Sequence, residues 1–204
     1  MSQGRSATVL GSLLLVGLLL TAGPTGAAED RELARATFAG GCFWCMEPPY
    51  DRLDGVIETI SGFSGGHVEN PTYEQVVRGG TGHLEVVQVI FDPAVVSYAT
   101  LLDVFWRNID PFQADGQFCD RGSMYRSAIF VHDESQGQAA LASRDAVAAL
   151  GLADAPIDTR VIDFQAFYPA EEYHQGYYLN NPVRYRYYRW RCGRDQRLEQ
   201  LWGD

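Results

Sequence analysis

The stretch Gly40-Gly41-Cys42-Phe43-Trp44-Cys45 constrains the fold more than any other part of this 204-residue chain. It follows a short apolar run, Ala36-Thr37-Phe38-Ala39, and leads into Met46-Glu47-Pro48-Pro49-Tyr50-Asp51-Arg52-Leu53. That order reads as a strand, a glycine turn and a helix whose first turn carries two cysteines. Glycine allows positive φ and a close approach of backbone at little cost. Cys42 then stands where the unpaired N–H groups and the positive end of the helix dipole point, which favours the reactive thiolate. Cys45 is one turn further on the same face, roughly 5–6 Å away, inside the Cα separation a disulfide tolerates. The pattern is a nucleophile beside a second thiol.

Residues 1–27 read as a cleaved signal peptide. Arg5 supplies the positive start, Val9 to Leu20 the apolar core, Gly23-Pro24 a break, and Thr25-Gly26-Ala27-Ala28 small residues for a peptidase. The apolar core is shorter than the about 20 residues of a membrane span. The expectation is an exported protein, in a bacterial periplasm, with residues 28–204 forming a single domain, a monomer with no stable membrane association after cleavage. All 16 basic residues are arginine, against 26 acidic residues and a formal charge of −10. That balance argues against nucleic acid as a partner, despite the aromatic and basic run from Tyr177 to Arg191.

The remaining pattern alternates. Strands are expected over Arg35–Ala39, Gly55–Phe63, His83–Phe91, Ser127–His132 and Ile157–Phe164. Helices are expected over Phe43–Leu53 (with Pro48 and Pro49 shortening or kinking it), Tyr73–Arg78, from Ser97 on, and from a Ser135 cap to Leu150. Residues 110–126 read as a loop, and the chain beyond Phe164 shows little periodicity. Strand, helix, strand, strand, helix, strand points to an α+β sandwich with helices on one face of a mostly antiparallel sheet.

The chemistry-bearing residues resemble the peptide methionine-S-sulfoxide reductases. Gly41-Cys42-Phe43-Trp44 is similar to that family's nucleophile motif, with Cys45 where glycine is usual. Thr81-Gly82-His83-Leu84-Glu85 resembles its strand bearing the acidic proton donor; Tyr73 in Asn70-Pro71-Thr72-Tyr73 and Tyr125 in Met124-Tyr125-Arg126-Ser127 match its two assisting phenols. Asp120 stands in the place of a substrate- or solvent-binding aspartate, though Cys119 and Met124 replace the usual asparagine and glutamine. His174 and Tyr177, in Glu171-Glu172-Tyr173-His174-Gln175-Gly176-Tyr177, match a C-terminal segment near the site.

The resemblance implies a ferredoxin-like core wrapped by a long irregular C-terminal segment, and a reaction with four requirements. A Cys42 thiolate attacks the sulfoxide sulfur, and Glu85, if buried, holds the proton for the oxygen. Phe43 and Trp44 wall the methyl pocket, and a second thiol resolves the sulfenic acid. Cys192 and Cys119 rank together as that thiol and Cys45 just behind, because helical neighbours need local distortion to bond. Substrates would be free methionine sulfoxide or oxidised proteins, the electron donor a thioredoxin-like protein, with no metal or organic cofactor. Two other readings compete. A general thiol–disulfide oxidoreductase would use Cys42-Phe43-Trp44-Cys45 alone and leave Glu85, Tyr73 and Tyr125 without a purpose. A zinc module would take Cys42, Cys45 and two of Cys119, His174 and Cys192, although structural zinc favours two close ligand pairs.

Overall fold

In the computed structural model, which describes residues 32–203 together with Met1 and Gly4, the first strand β1 (Ala34–Ala39) sits at the centre of a six-stranded sheet. The leader expected over residues 1–27 falls, but for Met1 and Gly4, outside the described residues. Ala36, Phe38 and Ala39 are fully buried, so both faces of β1 are covered. It leads through Gly40-Gly41 to α1 (Phe43–Asp51), then β2 (Val56–Ser64), α2 (Tyr73–Arg78), β3 (Leu84–Phe91) and α3 (Tyr98–Arg107). A two-residue hairpin, β4 (Gly116–Gln117) with β5 (Asp120–Arg121), precedes β6 (Ala128–Val131). Then come α4 (Glu134–Ala149), β7 (Arg160–Asp163), β8 (Phe167–Pro169), α5 (Tyr177–Asn180), α6 (Pro182–Arg191) and α7 (Arg194–Trp202).

The central strands run β6-β1-β3-β2, every neighbouring pair antiparallel, which is the ferredoxin-like order for β1-α1-β2-β3-α3-β6. β8 extends one edge antiparallel to β2, and β7 extends the other parallel to β6. The α+β class read from the sequence is the observed one. Phe38, Val87, Val89 and Phe91 face α1, α3 and α4, packing on Met46, Tyr50, Leu101, Phe105 and Ala140. Ala39, Leu84, Val86 and Phe130 face the other way. Glu85 shares its parity with Val87, Val89 and Phe91, and so points to the helix layer.

Three local expectations are corrected. Asp133, and not Ser135, caps α4, because its carboxylate accepts the Gln136 N–H at 2.8 Å. Pro48 and Pro49 lie inside α1 without ending it; Met46 and Tyr50, both buried, carry the helix past them. The C-terminal segment is irregular only in part. From Tyr177 it forms three helices, held to the body by Gln175, whose side chain bonds Ser61 N, Ser61 O and Ala170 O at 2.9 Å each.

Candidate active site

The turn between β1 and α1 needs glycine twice. Gly41 has φ +83°, and a Cβ there would lie 2.5 Å from the Gln117 Cβ; one on Gly40 would lie 2.5 Å from the Met46 sulfur. This tight joint delivers Cys42 as the N-cap of α1, at φ −55° and ψ 119°, outside helical geometry. Cys45 closes the first turn, its N–H bonding the Cys42 carbonyl at 3.0 Å. Both cysteines are free and buried.

The carboxyl of Glu85 occupies the position at the helix N-terminus that the sequence assigns to a Cys42 thiolate. Its Oε2 accepts the Phe43 N–H at 3.1 Å, and the residue is only 1% exposed. Burial above all, with Asp120 and Cys45 nearby, pushes its pKa up to about 8, against the Phe43 N–H and the Tyr125 hydroxyl that favour the charged form. The hydroxyls of Tyr73 and Tyr125 lie close enough to the Glu85 carboxyl that the three groups influence one another's protons. Burial raises both phenols, that of Tyr73 to about 12. At neutral pH this cluster holds its protons.

The surroundings oppose the Cys42 thiolate that the helix terminus alone favours. Burial, then the hydrogen bond and charge of Cys45, then Glu85 and Asp120 push the Cys42 thiol well up. Cys45 is pulled down to about 6, first by the hydrogen bond from Cys42, with Arg194 and Arg189 adding positive field against burial.

Phe43 packs among Phe63, Tyr73 and His174, with ring centroids 6.1, 6.4 and 5.1 Å away. Trp44 is half-buried. Its indole N–H donates to His174 Nδ1 at 3.1 Å, Tyr177 stacks on it at 3.8 Å, and Tyr188 meets its edge at 6.0 Å. His174 and Tyr177 thus reach the site through Trp44, whose plane they hold. Burial lowers the His174 pKa, which keeps the ring neutral and its Nδ1 free to accept.

Asp120 belongs to a second cluster. Cys119 and Cys192 are joined in a disulfide across 73 residues, with the Cys119 N–H on the Cys192 sulfur at 3.2 Å. The Asp120 carboxylate oxygens lie 3.8 and 3.9 Å from the two sulfurs, and one accepts the Tyr188 hydroxyl. Its charge is also felt at Cys42, Cys45 and Glu85, so this cluster borders the first. The zinc ligand set does not assemble, since Cys119 and Cys192 bond each other and His174 Nδ1 is taken by Trp44.

Three residues at the site carry no sequence signal that singled them out. Tyr188 and Arg194 lie in a run rich in their own kind. Glu47, 1% exposed, accepts the Ser61 hydroxyl at 2.9 Å and the Gly176 N–H at 3.3 Å, and burial lifts its pKa to about 7. A lone acid between Met46 and Pro48 in an apolar helix was the available hint.

A family model described as peptide methionine sulfoxide reductase matches residues 34–204. The peptide methionine sulfoxide reductase MsrA of Bacillus licheniformis is 50% identical over 176 residues, covering 86% of this chain and 96% of that protein. The peptide methionine sulfoxide reductase MsrA/MsrB of Vibrio cholerae is 51% identical over 169 residues, 83% of this chain, which spans 45% of that longer protein. Among solved structures, Mxr1 of Saccharomyces cerevisiae in reduced form has a TM-score of 0.69 at 31% identity, covering 74% of this chain and 87% of its own. The chain belongs to the peptide methionine sulfoxide reductase family, whose reaction is the reduction of methionine sulfoxide.

Proposed function

We propose that Cys42 is the nucleophile of this reduction and Glu85 its proton donor, acting on methionine-S-sulfoxide free or in oxidised proteins. The observation that carries the assignment is the Glu85 carboxyl, buried, protonated at neutral pH and bonded to the N–H of the residue next to Cys42. A protonated carboxyl there can donate to the sulfoxide oxygen, and the positive charge it places on the sulfoxide makes the sulfur open to attack. The Cys42 sulfur then bonds to the oxidised sulfur while its own proton passes to the local acid–base chain. The oxygen transfers to Cys42, leaving a thioether and a sulfenic acid; both electrons come from Cys42. Tyr73 and Tyr125, linked to Glu85, supply further donors to the same oxygen. Phe43 and Trp44 offer aromatic faces to the methyl group, a contact worth about 0.3–1.5 kcal/mol.

The thiol–disulfide reading leaves this carboxyl and its phenols unexplained. Glu85→Gln keeps the shape and removes the proton; single-turnover formation of methionine at pH 7 is expected to slow by about 10²–10⁴-fold. An unchanged rate in a normally folded Glu85→Gln variant would remove Glu85 from the reaction. Cys42→Ser is expected to abolish methionine formation altogether.

The outer disulfide supports a thioredoxin-like dithiol as electron donor, since Cys119 is exposed while Cys42 and Cys45 are not. Export to a periplasm, with residues 28–204 as one monomeric domain, rests on Arg5, the apolar run from Val9 to Leu20 and the small residues that follow. The mass of the protein recovered from the periplasmic fraction tests it, with a chain beginning at residue 28 expected.

A further inference from the structure

Resting on that reading, we propose that Glu47 is a positioning residue of the methyl pocket. Through Gly176 its side chain fixes Tyr177 and His174 against Trp44, and with them the width of the slot beside the reacting sulfur. Trp44 and Glu47 lie three residues apart on α1, and so on one face of it. The segment from His174 to Tyr177 grips that face at both places. At Trp44 the grip is made by rings. Tyr177 lies on the indole with 3.8 Å between centroids and 8° between planes, and His174 Nδ1 accepts the indole N–H at 3.1 Å. At Glu47 it is made by one oxygen, since Oε1 accepts the Gly176 N–H at 3.3 Å and the Ser61 hydroxyl at 2.9 Å.

The two rings that hold Trp44 stand on either side of Gln175-Gly176, and both members of that pair are tied down. The Gln175 side chain bonds Ser61 N and O, the Gly176 N–H bonds Glu47, and Glu47 takes the hydroxyl of the same Ser61. Ser61, fully buried in β2, thus serves both ties. Gly176 itself has φ +56°, a left-handed turn that leads straight into Tyr177 and α5. Removing the Glu47 oxygen frees the one backbone N–H between the two rings, at the point where the chain turns toward the indole.

The second observation is what this carboxyl costs. Glu47 is 1% exposed, and its Oε2 has no hydrogen-bond partner among the described residues. A buried polar oxygen left unpaired lowers stability, so holding the fold together is a poor account of this side chain. An apolar side chain between Met46 and Pro48 would avoid that loss, but it would offer Gly176 no acceptor. Burial lifts the Glu47 pKa to about 7, and Oε1 can accept in both the charged and the neutral form. The role therefore needs the oxygen in its place and not the charge. A slot that fits a methyl group discriminates against one further methylene by about 10–200-fold, and an indole free to tilt gives that discrimination away.

The test uses single turnovers of the fully reduced full chain with methionine sulfoxide and with ethionine sulfoxide, its S-ethyl homologue. The parent is expected to favour the methyl substrate by about 10–200-fold. Glu47→Ala removes the acceptor; Glu47→Asp keeps an acid but draws it back by one methylene, and serves where the alanine variant does not fold. Each is expected to cut the methyl-over-ethyl ratio by about tenfold. The loss is expected in a higher half-saturating concentration of methionine sulfoxide, with the saturated rate within about threefold of the parent, because Cys42 and Glu85 are untouched. Glu47→Gln keeps the reach of the oxygen and is expected to restore both the ratio and the half-saturating concentration. An aspartate variant that matches the parent where the glutamine variant does not would assign Glu47 to charge or proton transfer and overturn the proposal. An unchanged ratio in folded Glu47→Ala or Glu47→Asp overturns it too, and leaves Cys42 and Glu85 in their roles. Methionine formed by Cys42→Ser would remove those roles, and the pocket beside Cys42 with them.

Discussion

Glu85 loses its proton near 4.5 in an unfolded chain and near 8 in the folded one. Between those values the native state holds the extra proton, so stability falls as pH rises from about 4.5 to 8 and is level above. Glu85→Gln removes that dependence. The variant is expected to gain on the parent across that window, by on the order of 2–4 kcal/mol at pH 9 and little at pH 4, in urea unfolding at each pH. Activity of the parent is expected to fall as pH rises through about 8, because the donor is the protonated form. A parent stability that does not decline between pH 5 and 8 would show that the carboxyl is not buried as described. The residue itself was legible in the sequence; its orientation was not. One face of β3 carries Glu85, Val87, Val89 and Phe91 and the other Leu84 and Val86, so two covered faces erase the alternation that separates inside from outside. The surroundings of Cys42 were illegible for a related reason. The helix terminus was legible, but a competitor for its N–H, some 40 residues away in sequence, was not.

At the scale of elements, the glycine turn was legible because its requirement is local. Gly41 combines a positive φ with a Cβ position overlapping Gln117, whose side chain in turn bonds Asp110 N and O at 2.8 Å each. Gly151, past the end of α4, also has positive φ (+62°) but no atom within 4 Å of a Cβ. Gly151→Ala isolates the conformational cost, about 1 kcal/mol. Gly41→Ala adds the overlap and is expected to cost about 2–4 kcal/mol and to depress turnover, since Gln117 and the Cys42 N-cap must both move. Equal melting temperatures for the two variants would mean that the turn accommodates a methyl group. The helices of the C-terminal segment were illegible for a different reason. In Pro182–Arg191, tyrosine and arginine bury part of each side chain and expose the rest, so no apolar stripe marks the inner face, and Tyr185 alone is buried. The hairpin of β4 and β5, two residues to a strand, is too short for any periodicity to register.

Across the whole molecule, the C-terminal helices are pinned to the ferredoxin-like core at two neighbouring points, the Cys119–Cys192 disulfide and the buried Arg194 two residues on. Four cysteines allow three pairings, and spacing alone chooses none of them; the choice is made by the fold that brings residue 192 back to residue 119. Pinning and electron transfer are therefore coupled. Reducing the outer disulfide removes a cross-link closing a long loop, expected to cost about 2–4 kcal/mol of stability. It leaves Arg194 as the remaining anchor beside Cys45. Hydrogen exchange on the reduced and oxidised forms measures where that loss falls. Faster exchange is expected over residues 177–202 and around residue 119, while β1 and β3 keep their protection. Loosening there gives Cys192 the freedom to approach Cys42. Exchange equal in the two forms over residues 177–202 would mean that the helices are held by packing alone.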